Sequence, residues 1–98
     1  FTLPRRFGYL IMSPELETLD QLLCGGMSLS VIRRVYPDDA RCMSGIEGLL
    51  QNGDILLHSR DGEDVPSWKW RDILCLTRID EWSEYELSLT NQGAKKVT

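Results

Sequence analysis

The sequence predicts a small single domain of the α+β class in which strands dominate. At 98 residues, the chain lies near the lower end of sizes that bury a core without a metal or a disulfide. Residues 29–57 contain two apolar runs joined by polar residues, and residues 52–54 (Asn-Gly-Asp) lead into the second run. Tyr85, Leu87 and Leu89 alternate with polar residues, which is typical of a half-buried closing strand. We therefore expect a sheet covered by short helices.

The charge balance argues against a nucleic-acid-binding surface. The chain has 15 acidic and 11 basic residues, a net charge of -4 and a pI of about 4.9. Binding to phosphates depends on clustered cations that release counterions, so we expect no nucleic-acid partner. The basic residues include three isolated pairs that are too short to form a polybasic patch: Arg5-Arg6, Arg33-Arg34 and Lys95-Lys96.

The cysteines indicate reduced thiols in a cytoplasmic protein. Cys24, Cys42 and Cys75 are odd in number and have no metal-site spacing, so we expect neither a disulfide framework nor a metal. No apolar run approaches the roughly 18 residues of a membrane span, and direct membrane insertion is not expected. Nothing in the chain calls for a cofactor.

The first helix is predicted within residues 13–26. Ser13 can cap it and Pro14 suits its first position. Leu16, Leu19 and Leu23 repeat at helical spacing, so one face is apolar. A helix at about 14–24 follows from this pattern.

The rest of the chain is predicted from local periodicity and turn residues. The expected elements are a strand over 27–35, a short helix over 39–43, a strand over 55–59, a helix over about 68–78, a loop over 79–84, a strand from Tyr85 to about Leu89, and a polar tail over 91–98.

The sequence contains no recognisable catalytic constellation. His58 is the only histidine, and it falls in a predicted strand. No serine, cysteine or carboxylate is placed by the sequence to work with it as a nucleophile or acid. We therefore predict no catalytic residue and no enzyme activity.

Two apolar segments favour peptide binding. Residues 9–12 form a predicted strand after a glycine turn at Gly8, and the helix predicted over 68–78 has a wide apolar face. If that helix packs beside the strand, the gap between them is an apolar groove with a free strand edge. An extended peptide can add to such an edge as a further strand.

The order of motifs resembles a PDZ domain. Phe7-Gly8-Tyr9 is followed by L-S-V-I-R-R-V, then by G-I-E-G-L-L-Q-N-G-D-I-L-L and finally by Y-E-L-S-L. The resemblance covers residues 4–90 and implies a partly open β-barrel of five to six strands capped by two helices, with the extra helix at about 14–24. It places a PDZ-like domain over residues 1–90, followed by the tail.

The resemblance also implies where a ligand binds. The backbone N–H groups of the Phe7 loop hold the C-terminal carboxylate of a partner peptide, a basic residue stands near the loop, and the peptide pairs with the strand that follows. The residues implied on this side are Arg5, Arg6, Phe7, Gly8, Tyr9, Leu10, Ile11 and Met12.

The late helix supplies the other side of the implied groove. Trp70 takes the first helix position, where the common class of PDZ domains carries histidine, and Lys69 takes it if the register slips by one residue. Trp70 suits an apolar or aromatic ligand residue at the third-from-last position. Ile73, Leu74 and Thr77 continue the groove, and the partner is expected to end in a hydrophobic residue.

The expected function is non-catalytic recognition of a partner's C-terminus in a cytoplasmic scaffold or signalling protein. One alternative is a domain that has lost terminal-peptide binding and serves in dimerisation or intramolecular docking. That alternative uses the helix with Leu16, Leu19 and Leu23, or the surface with Trp68 and Trp70. A second alternative is a regulatory module beside an enzyme.

Overall fold

The structure, a computed structural model, describes residues 13–97 apart from the side chains of residues 76–78. The helices are α1 (Pro14–Leu22), α2 (Leu29–Ile32), α3 (Asp39–Asn52), α4 (Trp70–Ile73) and α5 (Asn91–Lys95). The strands are β1 (Met27–Ser28), β2 (Ile55–Ser59) and β3 (Tyr85–Leu89), and 3₁₀ helices cover Arg33–Val35, Ser67–Lys69 and Leu76–Glu84.

The predicted fold class is wrong. Within residues 13–97 the structure is mainly helical, and its three strands form one antiparallel sheet in which β3 lies between β1 and β2. Leu87 of β3 is opposite Met27 on one side and Leu57 on the other. A PDZ-like barrel of five to six strands requires more strands and fewer helices than this part of the chain contains.

Helix α1 confirms its prediction. The Leu16 N–H donates to Ser13 Oγ at 3.3 Å, and Pro14 occupies the first turn. The helix ends at Leu22, whose carbonyl accepts from the N–H of Gly25 at 3.1 Å. Gly25 has a φ of 128°, which favours glycine. The buried face of α1 packs against α3 and the sheet.

The strand predicted over 27–35 is wrong beyond its second residue. The Ser28 hydroxyl accepts from the Val31 N–H at 3.3 Å and caps α2. Leu29 and Ile32 are fully buried, whereas Val31 is 44% exposed. Burial at positions i and i+3 is the helical pattern, and here it prevails over the β preference of the branched residues.

The predicted helix over 39–43 is correct at its start but much too short. Asp38 caps α3 by accepting from the Arg41 N–H at 2.7 Å, and the helix continues for 14 residues to Gly53, whose φ of 79° ends it. The helix continues through Gly45, which allows close packing, because a Cβ there would come within 2.6 Å of the Tyr36 ring.

The helix predicted over 68–78 is interrupted at Leu74. Its backbone has φ -85° and ψ 63°, which is outside the helical region. A 3₁₀ helix then occupies the predicted loop over 79–84. Trp82 in this segment is fully buried, and its indole Nε1–H donates to the carbonyl of Ile73 at 2.9 Å. This bond holds two parts of the β2–β3 connection together.

Helix α5 lies in the segment that the sequence analysis described as a polar tail. Thr90 Oγ1 accepts from the Gly93 N–H at 3.1 Å, and Lys96 Nζ lies 2.7 Å from Asp54 Oδ2. Asp54 is only 1% exposed. An ion pair to this buried carboxylate therefore fastens the end of the described chain to the start of β2.

Residues 29–52 form two helical segments joined by a short turn: α2 with its 3₁₀ continuation, the turn over 36–38, and α3. We call strands β2 and β3, with their connection over 60–84, the wing. The core lies between the helices and the inner face of the sheet, and its largest fully buried side chains include Trp82, Leu19, Leu29, Ile32, Ile46, Ile55 and Leu87.

Candidate functional site

The loop and strand half of the predicted peptide site lies outside the described residues. This applies to Arg5, Arg6, Phe7, Gly8, Tyr9, Leu10, Ile11 and Met12. Their assignment to carboxylate and backbone binding therefore stays a prediction.

The helix half of the predicted site is largely built into the core. Ile73 and Leu74 are 4% and 7% exposed. Trp70 is half-buried, and its Nε1–H donates to the carbonyl of Val65 at 3.3 Å. Lys69 is exposed, and the Thr77 side chain is outside the description. Ile73 nevertheless reaches the floor of a small hollow that Lys69 also lines, whereas Leu74 does not line that hollow.

Trp68 has the largest exposed fraction of any large apolar side chain in the described part of the chain. It is 77% exposed, more than Leu16, Leu23, Val31 or Leu56. Pro66 lies nearby on the same segment, and Lys69 Nζ is 5.1 Å from the centroid of the Trp68 ring. A folded domain gains little from leaving so large an aromatic surface in water, and tryptophan is among the residues that dominate binding energy at protein interfaces.

Two shallow hollows lie on the wing around the end of the β2–β3 ladder. One has a volume of about 490 Å³ and includes Arg60 and Asp61. The other has a volume of about 170 Å³ and includes Pro66 and Lys69. Both are lined by Ser59 and Tyr85, which face each other across the ladder. We call the surface formed by these hollows and Trp68 the wing surface; its acidic members are Asp61, Glu63, Asp64 and Glu84.

The surface formed by α2, the turn over 36–38 and the start of α3 carries few cations that are available to a phosphate. Arg33 forms an ion pair with Asp39, and Arg41 forms a two-pronged pair with Glu15 in which Nη2 lies 2.7 Å from Oε1. Asp38 and Asp39 also make the start of α3 acidic, and this negative charge repels a phosphate that approaches it.

A groove of about 390 Å³ separates α1 from α3. Leu16, Leu19 and Leu49 supply its apolar lining. The Arg41–Glu15 pair and the Lys96–Asp54 pair also line it. Because each cation is matched by a carboxylate, the groove offers no net charge to select a ligand.

The perturbed titratable groups near α3 have structural roles. Burial raises the pKa of Cys42 to about 12 and raises the pKa of Tyr36 above its usual range. The hydrogen bonds with Glu15 raise the pKa of Arg41. A thiol that stays protonated at neutral pH is a poor nucleophile, so Cys42 belongs to the core.

Other chemical sites are not apparent in the described residues. His58 Nδ1 lies 3.3 Å from the carbonyl oxygen of Ser59, and His58 is opposite Glu86 in the sheet. No group of three or more His, Cys, Asp or Glu side chains within residues 13–97 is arranged to hold a metal ion. Across the same residues, no helix is long and apolar enough to cross a membrane.

Trp68 was named by the sequence only as part of an alternative docking surface. The signal for its exposure was local, because Trp68 follows Pro66 and Ser67 at the end of a stretch rich in charged and turn residues. Comparison with protein-family models, with curated proteins and with solved structures gave no match to this chain.

Proposed function

We propose that this protein is a non-catalytic protein-interaction module that binds a partner protein through the wing surface, with Trp68 at its centre. The exposure of Trp68 carries the proposal. Its side chain is 77% exposed on a wing that Trp82 fastens to the core. A tryptophan side chain has only two rotatable bonds, so it offers a large contact area at a small cost in conformational entropy.

Polarity around Trp68 also supports an interface. Val65 is half-buried, and Pro66, Glu63 and Asp64 are exposed beside the smaller hollow. Protein interfaces combine an aromatic or apolar centre with a polar rim that stays accessible to water. The wing surface has this composition.

The proposal retains protein recognition from the sequence analysis and changes its place. Terminal-peptide binding needed a groove face that includes Ile73 and Leu74, and both side chains are buried. The wing surface overlaps the alternative that used Trp68 for docking. A cytoplasmic location belongs to the proposal too, supported by the reduced state of all three cysteines, Cys24, Cys42 and Cys75.

A random peptide library displayed on phage tests the proposal. Selections run in parallel against the native chain, Trp68→Ala and Leu56→Ala. Leu56 is a matched control, because it is 51% exposed and lies on β2 rather than beside Trp68. We expect peptides enriched on the native chain to bind Trp68→Ala at least about tenfold more weakly and Leu56→Ala unchanged. Failure to enrich any peptide, or equal binding to Trp68→Ala, contradicts the proposal.

Nucleic-acid binding is the second candidate, because two helical segments joined by a short turn, as α2 and α3 are, also occur in DNA-binding motifs. The acidic start of α3 and the paired arginines argue against it. Gel-shift titration with mixed-sequence duplex DNA at low salt decides between the two. We expect no shift at micromolar protein; a shift abolished by Arg34→Gln, but retained by Trp68→Ala, would favour the second candidate.

A further inference from the structure

We propose that the partner segment is cationic, an arginine- or lysine-rich stretch that crosses the wing surface and places one cation against the Trp68 ring. This inference rests on the proposed function and specifies the chemistry of its ligand. Three features of the wing lead to it: four carboxylates, two connected hollows, and a ring that already attracts a cation.

The carboxylates supply the charge. Asp61, Glu63, Asp64 and Glu84 are all exposed, and none forms an ion pair with another described residue. The carboxylates of Glu15, Asp39, Glu47 and Asp54, by contrast, are each paired with a basic side chain. The unpaired negative charge is therefore available on the wing, where it attracts positive segments and repels acidic ones.

The four carboxylates line two neighbouring hollows. Asp61 and Glu84 lie in the larger hollow, and Glu63 and Asp64 lie in the smaller one. Tyr85 and Ser59 line both hollows, so a chain crossing this pair has carboxylates on either side. Each hollow also has one basic side chain, Arg60 in the larger and Lys69 in the smaller, so two carboxylates against one cation leave each hollow with a net negative charge. Long cationic side chains suit such a surface, because their apolar stems can lie on Tyr85 while their heads reach the carboxylates.

Trp68 completes the match. Lys69 Nζ already lies 5.1 Å from the ring centroid, which is within the range of a cation–π interaction. Lys69 also lines the smaller hollow. An arginine from a partner stacks on tryptophan better than a lysine does, so the intramolecular Lys69 contact acts as a competitor for the partner's cation.

Because the Lys69 ammonium competes with the partner's cation for the Trp68 ring, replacing Lys69 tests the inference. Removing the Lys69 ammonium by Lys69→Gln frees the ring and makes the surface more negative. Truncating an ordinary contact residue weakens binding, whereas we expect Lys69→Gln to strengthen binding of a cationic peptide about two- to fivefold.

Fluorescence anisotropy with synthetic peptides measures the effect. The probe is a labelled peptide of repeating Arg-Gly-Ser units. The matched control peptide has glutamate in place of every arginine. Variants of the full chain are Lys69→Gln, Asp61→Asn with Asp64→Asn, and Glu17→Gln with Asp20→Asn. The last two change the net charge equally, but Glu17 and Asp20 lie on α1 and line neither hollow. Circular dichroism melting verifies that each variant is folded.

The cationic probe is expected to bind the native chain and weaken as salt rises, while the glutamate control does not bind. The Asp61 and Asp64 double variant should weaken binding about tenfold, and the α1 double variant less than twofold. Equal weakening by both double variants would show a non-specific charge effect and overturn the inference, as would absence of binding or weaker binding by Lys69→Gln. If the phage selection yields Trp68-dependent peptides without basic residues, this inference fails and the proposed function stands.

Discussion

Two tryptophans in the β2–β3 connection have opposite environments. Trp82 is fully buried, and its indole N–H is satisfied by the carbonyl of Ile73. Trp68 is 77% exposed and contacts a cation of its own chain through its ring face. Both belong to one connection, but only Trp82 contributes to the core.

The contrast between buried Trp82 and exposed Trp68 shows how a long connection can be anchored to the core and still present a binding surface. Trp82 joins the 3₁₀ helix Leu76–Glu84 to the end of α4, so the connection has an internal anchor. Trp70 adds a second indole hydrogen bond to the carbonyl of Val65 at 3.3 Å. Trp68 is held between these anchored residues, and its side chain is available to a partner.

Replacing Trp82 should have the largest effect on stability. Trp82→Ala leaves a large cavity and an unpaired carbonyl at Ile73, so we expect a loss of about 3–5 kcal/mol in the free energy of unfolding. Urea denaturation measures it. Trp68→Ala is the matched control, with an expected change below about 0.5 kcal/mol. Similar losses in both variants would remove the distinction between the two side chains.

Two glycines of α3 test how tightly the helices are packed. This close packing contrasts with the wing, where Trp68 is exposed. A Cβ at Gly45 would come within 2.6 Å of Tyr36, whereas a Cβ at Gly48 meets nothing within 4 Å. Gly45→Ala should destabilise the protein by about 1–3 kcal/mol through overpacking. Gly48→Ala should stabilise it by about 0.5–1 kcal/mol through helix propensity. Thermal denaturation that gives both variants the same sign of change contradicts this packing.

Alkaline pH should loosen the helical core. Burial raises the pKa of Cys42 from 9.0 to about 12, so the folded state holds this proton more tightly than the unfolded state. Stability is therefore complete below pH 9 and falls as the pH rises from 9 towards 12. Each such group contributes a slope of about 1.4 kcal/mol per pH unit. Tyr36, whose pKa is also raised, adds to the slope above pH 10.

Urea unfolding at pH 8, 9 and 10 checks this slope. Cys42→Ala should flatten the decline between pH 9 and 10, while substitution of the exposed Cys24 by alanine should leave it unchanged. An unchanged slope in Cys42→Ala would mean that the buried thiol does not control it.

Sequence patterns predicted the elements whose signals are local. Ser13 and Pro14 marked the start of α1, and alternation marked β3, while residues 55–59 were correctly assigned as a strand. These signals depend on capping, fixed φ and side-chain alternation. The predictions from these local signals were correct because the tertiary packing of this fold favours the same local structures.

The errors came from residues whose role is set by distant neighbours. The helix predicted over 39–43 in fact runs on through Gly45, where Tyr36 fills the space that a side chain would need. Residues 48–54, part of the motif that resembled a PDZ domain, are a helix end, a left-handed Gly53 and the residue before β2. The charge balance did not indicate that four exposed carboxylates without an ion pair lie together on the wing, because chain position does not reveal which acids find partners.

The indole N–H signals in a ¹H–¹⁵N NMR titration test the central claim most directly. The chain has three tryptophans, each assignable by substitution with phenylalanine. When the Arg-Gly-Ser peptide is added, the Trp68 indole signal and the amides of residues 59–69 should shift, while the indole signal of Trp82 stays in place. Shifts confined to α1 and α3, or a Trp68 signal that does not move in a saturated complex, would contradict binding at the wing surface.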